Sequence, residues 1–322
     1  MVTVETSARL HVGFQNLSLA HDRLYGGIGL GLDEPHISIE VSQAEHLDYD
    51  DDCVQGYAET ALDVLDVPGA RLTVDERYDR HVGLGSGTQL ALACLVGIAK
   101  AYGKSVDPRE AAPEMGRGGR SGVGVATFET GGFVVDAGHP TERFTTSPPA
   151  PGNWEVPAPI VATPLPEDWR FVVVTPAAES GQSGSNEDAS MQSAVDGANP
   201  TVADDIAAVL TRELLPAIAE GNIEAFGDAV ERIGRLNGTW YADEQGGVYR
   251  PPAGDVIERL SQSEGVFGTG QSSWGPTVYG VTDVARATQA REAATAALGG
   301  QVPDGTVRVV EPSASGYSLT RE

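Results

Sequence analysis

Alternating apolar and polar residues open the chain and predict a small β-sheet. The alternation runs through residues 6–14, and two further strand-like runs follow at 27–32 and 37–41. Apolar residues then recur at helical spacing over residues 54–65, a segment that a Pro-Gly pair ends, and residues 71–74 return to a strand pattern. The first part of the chain is therefore predicted to be strands with one helix.

A long apolar segment, residues 88–102, is rich in Ala and Leu on nearly every face and predicts a buried helix. Asp107, followed by a proline, predicts the N-cap of another helix that runs toward Gly116. Residues 132–137 have a strand pattern. The proline-rich segment 140–166 lacks periodicity, so we expect an extended loop between two halves of the chain.

Strand and helix patterns mix in the second half. Residues 169–175 predict a strand, and residues 179–199 are polar and rich in Ser and Gly, so they form either a mobile lid or a surface excursion. Two consecutive helices follow at 202–220 and 222–236, the second with Asn222 as its N-cap. The remaining segments are a glycine turn at 265–270, a strand at 277–281, a helix at 283–298 and a strand at 306–311.

This order predicts an α+β fold in two halves, residues 1–165 and 166–322, without an internal repeat. The formal net charge of −25 excludes nucleic acid as a partner, because such a partner needs a basic surface. Lysine occurs only at Lys100 and Lys104, a bias typical of a very salty cytoplasm such as that of haloarchaea. Two cysteines without metal-ligand spacing, no signal peptide and no membrane-spanning run predict a cytoplasmic protein.

Two glycine-rich turns carry the candidate chemistry. In the first, Gly83, Gly85 and Gly87 lead directly into the predicted buried helix. Glycines allow the backbone to approach a ligand closely, and a helix start offers free N–H groups and a positive dipole end. This turn therefore predicts a phosphate-binding loop, and a second glycine-rich segment at 116–132 strengthens the case for a site.

Arginines and histidines near these turns are further candidates. Arg9, Arg117 and Arg120, together with Arg23, either clamp an anionic ligand or form surface ion pairs with the abundant carboxylates. A neutral imidazole can accept a proton during a reaction, which makes His11 a candidate base, with His139 as a second. The alternative for each histidine, a packed or hydrogen-bonded structural role, is the commoner one for this residue type.

Three segments in this order make the chain resemble the GHMP kinase superfamily, the galacto-, homoserine, mevalonate and phosphomevalonate kinases. Residues 6–14 correspond to its first motif, 83–89 to its phosphate loop with Ser86 at the serine position, and 267–274 to its third, glycine-rich motif. The resemblance implies an N-terminal half like ribosomal protein S5 domain 2 and a ferredoxin-like C-terminal α/β sandwich. Mevalonate-type kinases place a catalytic aspartate where this chain has Gly124.

One branch of the superfamily is more similar, the β-ribofuranosylaminobenzene (or ribofuranosylphenol) 5′-phosphate synthases. The similar segments are 7–14, 26–30, 83–93, 116–124, 131–139 and 275–280. Tyr25 and Ala137 depart from the aspartate and glycine expected there. The resemblance implies that phosphoribosyl pyrophosphate reacts with 4-hydroxybenzoate or 4-aminobenzoate, with loss of CO2 and pyrophosphate, in tetrahydromethanopterin biosynthesis. It also implies Mg2+ as cofactor and, as is frequent in the superfamily, a homodimer.

The motifs and this chemistry together give the candidate site. Its catalytic residues are Arg9, His11, Ser86, Arg117 and Arg120. Its phosphate- and pyrophosphate-binding residues are Gly83, Gly85, Ser86, Gly87, Thr88, Gln89, Gly118, Gly119 and Ser121. Its substrate pocket is Gly26, Gly27, Gly270, Gln271 and Ser272. Its magnesium ligands are Ser86 and Glu129, with Asp136 as the alternative carboxylate, although either carboxylate is equally a cap or an ion-pair partner.

Two other functions stay open. An ATP-dependent GHMP-family small-molecule kinase needs another carboxylate in place of the missing aspartate. A non-enzymatic sensor would bind a phosphorylated metabolite on the same fold, but Ser86 and Thr88 favour a working site. Ribosyl transfer agrees best with Gly124, because an aromatic carbon nucleophile has no O–H proton to lose before attack, and N–H donors can stabilise leaving pyrophosphate.

Overall fold

The computed structural model describes residues 1–143, 153–177, 185–299 and 305–321, in which two mainly antiparallel sheets carry packed helices. The first sheet has eight strands and the order β12-β1-β2-β4-β3, with β5 and β6 paired to β2 and β7 paired to β5. Its strands are β1 (Val2–Asn16), β2 (Arg23–Gln43), β3 (Asp48–Tyr49), β4 (Ala70–Glu76), β5 (Phe133–Asp136), β6 (His139–Pro140), β7 (Pro159–Thr163) and β12 (Ser318–Arg321).

β1 and β2 form a long antiparallel hairpin in which Phe14 lies opposite Gly27. The sequence pattern predicts two strands, 27–32 and 37–41, where the structure has one. The reason is that β1 pairs with both segments and a shift of register opposite residues 7–9 takes up the polar break between them.

The described residues of the first half of the chain form four α-helices. They are α1 (Gln55–Leu65), α2 (Ser86–Ala101), α3 (Pro108–Ala111) and α4 (Val123–Thr130). α2 lies so close to the sheet that a Cβ added at Gly97 would be 2.7 Å from Val41 Cγ2. Asp107 caps α3 as predicted, but α3 ends well before Gly116 because Pro113 has no amide hydrogen to continue it.

The second sheet has the order β11-β8-β10-β9 with every neighbour antiparallel, the order of a ferredoxin-like sandwich, so the predicted fold class is confirmed. Its strands are β8 (Trp169–Pro176), β9 (Gly268–Gln271), β10 (Val278–Asp283) and β11 (Gly305–Val310). Its helices are α5 (Ser185–Gly197), α6 (Pro200–Val209), α7 (Leu215–Glu220), α8 (Ile223–Gln245), α9 (Ala253–Ser261) and α10 (Ala287–Leu298). A π-helical turn, Leu210–Leu214, joins α6 to α7. None of the helices in the described part of the chain combines the length and the hydropathy that a membrane-spanning segment requires.

Phe226 of α8 joins the two halves. Its ring centroid lies 4.7 Å from that of Trp169 in the second sheet and 6.3 Å from that of Phe133 in the first. The last strand, β12, also crosses between the halves, because it pairs with β1. This corrects the division at residue 166: the end of the chain belongs to the first sheet, a long-range pairing for which the sequence has no local signal.

Several segments differ from the sequence pattern. Within 140–166, predicted as a loop, β7 pairs with β5, and its flanking prolines are tolerated beside an edge strand. The described part of 179–199, predicted to be a mobile lid or a surface excursion, contains α5. Residues 144–152 and 178–184 of these segments lie outside the described residues. α8 begins after Asn222 as predicted but continues nine residues past 236, and the short α9 has no counterpart in the prediction.

Candidate active site

The first glycine loop lies at the N-terminus of α2, as predicted. Gly83 and Gly85 have φ angles of +96° and +80°, which favour glycine. The first hydrogen bond of α2 runs from the Thr88 amide to Gly85 O, at 3.0 Å. The amides of Ser86 and Gly87 therefore precede the intrahelical bonds, and together with the positive end of the helix they can bind an anion.

Two side chains from distant segments fix this loop. Arg9 Nη1 donates to Gly83 O at 2.6 Å, and Ser272 Oγ donates to the same oxygen at 2.7 Å. The His11 amide donates in turn to Ser272 Oγ at 3.0 Å. Ser272, predicted as a pocket residue, is fully buried and supports the phosphate loop instead.

Gln89 has a structural role rather than the predicted phosphate contact. Its side chain is fully buried, with Oε1 accepting from Thr6 Oγ1 at 2.6 Å and Nε2 donating to Gly124 O at 3.0 Å. It thus ties α2 to β1 and α4. Spacing along a loop does not tell which face of the following helix a residue occupies, and this is why the sequence misplaces it.

Gly124 occupies the position where mevalonate-type kinases have their aspartate. A Cβ added there would lie 3.3 Å from Thr88 Cγ2, which is a tight contact. The close approach of α4 to the phosphate loop therefore leaves little room for a carboxylate at this position.

The second glycine loop, residues 116–124, is covered by a neighbouring segment. A Cβ added at Gly118 would lie 2.7 Å from Val156 Cγ2, and one added at Gly119 would lie 3.3 Å from Trp154 Cε2. These two glycines, predicted to bind phosphate, permit close packing instead. Proline-rich sequence around the covering segment gave no sign that it packs here.

The predicted arginines lie in different places. Arg9 and Arg117 are at the phosphate loop, since Arg9 Nη1 binds its backbone and Arg117 Nη1 lies 3.4 Å from a Cβ added at its third glycine. Arg120 hydrogen-bonds the Tyr25 phenol. Burial raises the pKa of this phenol. Arg23 donates to backbone carbonyls after β5 and is not brought to the loop.

A series of partly buried hydrogen bonds runs from His11 to Asp136. His11 Nε2 lies 3.2 Å from Ser121 Oγ, and Ser121 Oγ donates to Asp136 Oδ2 at 3.2 Å. Because the hydroxyl hydrogen is directed to the carboxylate, the Ser121 oxygen accepts from the imidazole. This assignment places the His11 proton on Nε2 and leaves Nδ1 as an acceptor.

Burial sets the protonation states of His11 and Asp136. Burial, with a smaller effect of Arg9, lowers the pKa of His11 to about 3, so the imidazole is neutral. Burial also raises the pKa of Asp136 to about 6, although several backbone amides donate to it. Ser121, predicted to bind phosphate, is committed to His11, Asp136 and the Val123 amide. Gly27, predicted in the pocket, leaves the space that Ser121 occupies, because an added Cβ would overlap its hydroxyl.

His11 also lines a cavity between β1, α8 and the third glycine motif. The aromatic side chains of its wall are Phe14, Tyr241, Tyr249 and Trp274. The His11 and Phe14 ring centroids are 4.9 Å apart, and those of Tyr241 and Trp274 are 4.7 Å apart in an edge-to-face arrangement. Such a wall suits a flat aromatic ligand. Trp274 is buried and lines this cavity as well.

The predicted pocket residues have different relations to this cavity. Gln271 lines it, and its Nε2 donates to Ser273 O at 3.0 Å. Gly26 and Gly270 lie behind the wall, where added Cβ atoms would be 2.5 Å from Gln15 Nε2 and 2.5 Å from Tyr279 Oη, respectively. They allow supporting side chains to pack closely.

The sequence missed the α8 side of the cavity. Asn237 of α8 binds both backbone groups of Phe14, with its Oδ1 accepting from the amide at 2.7 Å and its Nδ2 donating to the carbonyl at 3.0 Å. Tyr241 follows one helical turn later on the same face. The only available signal is a run of polar and aromatic residues at helical spacing, which is equally typical of packing against a core.

The predicted metal ligands differ in their contacts. Glu129 forms an ion pair with Arg109, whose Nη2 and Nε lie 2.5 Å and 3.0 Å from Glu129 Oε2. The observed role of Glu129 is therefore that of an ion-pair partner. Asp136 is saturated by Ser121 and backbone amides. Among the residues described, no group of three or more His, Cys, Asp or Glu could hold a metal ion. Ser86 remains a candidate through its hydroxyl.

Comparisons with known proteins agree with this arrangement. The family model described as the GHMP kinases N terminal domain matches residues 52–132, and that of the GHMP kinases C terminal matches residues 214–300. Among solved structures, a homoserine kinase from Cytophaga hutchinsonii has a TM-score of 0.63 at 15% identity, covering 99% of this chain and 97% of its own. A mevalonate pyrophosphate decarboxylase from Streptococcus pyogenes has a TM-score of 0.68 at 13% identity, covering 98% and 97%. At these identities the likeness shows the fold alone.

Two archaeal relatives are similar over most of their length. The β-ribofuranosylphenol 5′-phosphate synthase of Archaeoglobus fulgidus is 33% identical over 290 residues, covering 88% of each chain. That of Methanothermobacter thermautotrophicus is 32% identical over 298 residues, covering 87% of this chain and 88% of its own. The chain therefore belongs to the β-ribofuranosylphenol 5′-phosphate synthase family, on the GHMP kinase fold.

Proposed function

We propose that the chain transfers a ribosyl 5-phosphate group from phosphoribosyl pyrophosphate to 4-hydroxybenzoate or 4-aminobenzoate, with release of CO2 and pyrophosphate, in methanopterin biosynthesis. The archaeal relatives are ribofuranosylphenol phosphate synthases by name, which favours 4-hydroxybenzoate. One observation carries the proposal: the phosphate loop and the aromatic cavity meet at His11. Its amide binds the Ser272 that holds the loop, and its ring lines the cavity.

The reaction needs charge stabilisation more than a strong base. The ring carbon that bears the carboxylate bonds to C1 of the ribose while the C1–O bond to pyrophosphate breaks. The carboxyl carbon then leaves as CO2, and the electron pair of the broken C–C bond restores the aromatic ring. Negative charge grows on pyrophosphate, where the amides of Ser86 and Gly87 and the Arg9 guanidinium can stabilise it. The absence of a carboxylate at Gly124 agrees with this chemistry.

His11 is the proposed proton acceptor for the phenol or amine of the substrate. Its Nδ1 carries no proton when Ser121 accepts from Nε2, and burial keeps the ring neutral. The proton moves to Nδ1 as the ring attacks and returns when aromaticity is restored. Asp136 and Ser121 hold the tautomer that this step requires.

Arg120 is the proposed partner of the substrate carboxylate. It hydrogen-bonds Tyr25, whose ring centroid lies 5.5 Å from that of Phe14 in the cavity wall. Arg9 and Arg117 instead lie at the phosphate loop. The three arginines would thus divide between the two substrates.

Mg2+ is the proposed cofactor, and the residues present fit an ion that binds together with the diphosphate. Mg2+ usually keeps several waters and takes few protein oxygens in addition to substrate phosphates. Ser86 is the side chain we assign to it, because Glu129 is engaged with Arg109. When bound, the ion would neutralise charge on the leaving pyrophosphate.

The charge and the family suggest a setting for this activity. A net charge of −25 is suited to a cytoplasm with molar salt, where screening limits self-repulsion. We expect a homodimer there. Sedimentation equilibrium in molar KCl tests this, and a monomeric mass would contradict it.

The decisive experiment supplies the protein with Mg2+, phosphoribosyl pyrophosphate and carboxyl-labelled 4-hydroxybenzoate in molar KCl. We expect labelled CO2 and pyrophosphate to appear in equal amounts. A parallel reaction with 4-aminobenzoate identifies the preferred acceptor, and one with ATP and small alcohols tests the kinase alternative. Failure to release pyrophosphate with either benzoate contradicts the proposal. ATP turnover would then indicate a kinase, and phosphometabolite binding without turnover would indicate a sensor.

A further inference from the structure

Two guanidinium groups share one aromatic ring beside the phosphate loop. Arg117 Cζ lies 4.9 Å from the ring centroid of Tyr57, and Arg80 Cζ lies 5.5 Å from it. Arg80 Nη2 also donates to Tyr57 Oη at 3.1 Å. The three residues come from α1, the segment after β4 and the second glycine loop, so only the tertiary structure assembles this group. We call it the Tyr57 cluster.

The Tyr57 cluster faces the start of α2. A Cβ added at Gly87 would lie 3.2 Å from Tyr57 Oη and 3.4 Å from Arg117 Nη1. The corresponding position at Gly85 is 3.1 Å from Arg9 Nε. Cationic side chains therefore flank Ser86 on two sides, with Arg9 at one end of the loop and the Tyr57 cluster at the other.

No carboxylate of the described residues balances the charge of the cluster. Among the described residues, neither Arg80 nor Arg117 has a carboxylate within ion-pair distance, in a chain with 46 acidic and 21 basic residues. The Nε atoms of both are buried and have no hydrogen-bond partner. Arg77, three residues before Arg80, is instead paired with Asp51 at 2.6 Å. Two like charges brought together without a counter-ion favour a bound anion.

The positions of the two cationic groups suggest which anion. Arg9 also acts electrostatically on His11, so it lies at the reacting end of the site. The Tyr57 cluster lies at the opposite end of a short loop, a spacing suited to two linked phosphoryl groups. A terminal phosphoryl group carries more charge than a bridging one and needs more cationic contacts.

We propose that Tyr57, Arg80 and Arg117 form the subsite for the terminal phosphoryl group of pyrophosphate, while Arg9 and the loop amides hold the phosphoryl group attached to ribose C1. This inference rests on the proposed function for the identity of the substrate. The subsite itself requires only a diphosphate. It also assigns a role to Arg80, which no motif of the sequence marks.

The test is calorimetric titration of the full chain with pyrophosphate and, separately, with ribose 5-phosphate, in Mg2+ and molar KCl. We expect Arg80→Met and Arg117→Met each to weaken pyrophosphate binding about tenfold, and Tyr57→Phe to weaken it less, because the ring remains. Ribose 5-phosphate binding should stay within about twofold. Arg77→Met is the matched control, a neighbouring arginine with its own carboxylate partner, and it should bind pyrophosphate like the parent.

Unchanged pyrophosphate binding in Arg80→Met, or a loss confined to ribose 5-phosphate, overturns the assignment. A thermal melt of each variant identifies misfolding. If an arginine variant misfolds, the pyrophosphate affinity of Tyr57→Phe, which retains the packing of the ring, decides whether the Tyr57 cluster binds pyrophosphate. The result is separable from that of the proposed function: weakened pyrophosphate binding in a protein that releases no CO2 supports the subsite while contradicting the reaction.

Discussion

The two glycine loops have similar compositions and different environments. The first, at residues 83–88, is held from below by Arg9 and Ser272 and leaves the amides of Ser86 and Gly87 ahead of the first helical bond. The second, at 116–124, is covered by Trp154 and Val156. Glycine spacing alone therefore does not distinguish a phosphate loop from a packing turn. What distinguishes them is whether another part of the chain fills the space above the glycines.

The second loop still reaches the site through side chains. Ser121 connects His11 to Asp136, and Arg117 joins the Tyr57 cluster. The first loop thus offers backbone donors and the second offers positioned side chains. The following experiments test that division, beginning with His11, where the two loops meet.

The largest effect is expected for His11→Gln, because its ring contacts the second loop and its backbone supports the first. The kcat for CO2 release should fall on the order of 10² to 10⁴, the usual contribution of a proton acceptor. The affinity for pyrophosphate should stay within about twofold, since Ser272 is held by the His11 amide rather than by the ring. Steady-state kinetics and calorimetry measure the two effects, and an equal loss in both would contradict the division.

Asp136 should give the second loop a distinctive pH dependence of stability. Burial raises its pKa to about 6 from 3.8, so the native state binds this proton more tightly than the unfolded state does. Its contribution to the free energy of unfolding is complete below the unfolded pKa and is lost as pH rises through the folded one, by up to about 3 kcal/mol. Asp136→Asn lacks this titration. Urea unfolding of both proteins between pH 3.8 and about 6 should show the parent losing stability relative to the variant as pH rises. The same pH dependence of the free energy of unfolding in both proteins would count against a buried, titrating carboxylate.

Gly87→Ala and Gly118→Ala form a matched pair across the two loops. At Gly87 an added Cβ would lie 3.2 Å from Tyr57 Oη, in the proposed anion site, so pyrophosphate binding should weaken about tenfold. Its melting temperature should not fall, because alanine is favoured within a helix. At Gly118, with φ +79° and Val156 close by, alanine should cost about 1–3 kcal/mol of stability and leave pyrophosphate binding unchanged. Calorimetry and thermal melts measure the two variants. A loss of stability in Gly87→Ala with a loss of pyrophosphate affinity in Gly118→Ala would contradict the different roles of the two loops.

The smallest effect is expected for Trp154→Phe. The Trp154 indole donates to Arg117 O at 2.8 Å and covers the second loop. Phenylalanine keeps the apolar cover and loses the hydrogen bond, so the free energy of unfolding should fall by about 1 kcal/mol. Pyrophosphate affinity, measured by the same titration, should not change. A marked loss of affinity would show that the covering segment shapes the anion site directly.

Local pattern predicted the elements whose cause is local. The buried α2 is apolar on nearly all faces, and its glycine loop has the positive φ angles that those glycines allow. Asn222 and Asp107 cap helices as their positions indicate. β12 and β7 were missed because a short strand is specified by its partner as much as by its own residues. Gln89 and Ser272 were misassigned because a motif records an order of residues and not the direction in which each faces.

The residues alone predict the GHMP kinase fold, the family, the position of the glycine loop ahead of α2 and the missing carboxylate at Gly124. Each of these features is specified by short segments, in which a few φ angles or one side chain determine the local structure. The three-dimensional arrangement alone shows which glycine loop another segment covers, which arginines lie at the first loop, and that His11, Ser121 and Asp136 form one hydrogen-bonded chain. These depend on contacts between residues far apart along the chain, whose distances are fixed by the packing of the two sheets and not by any one segment.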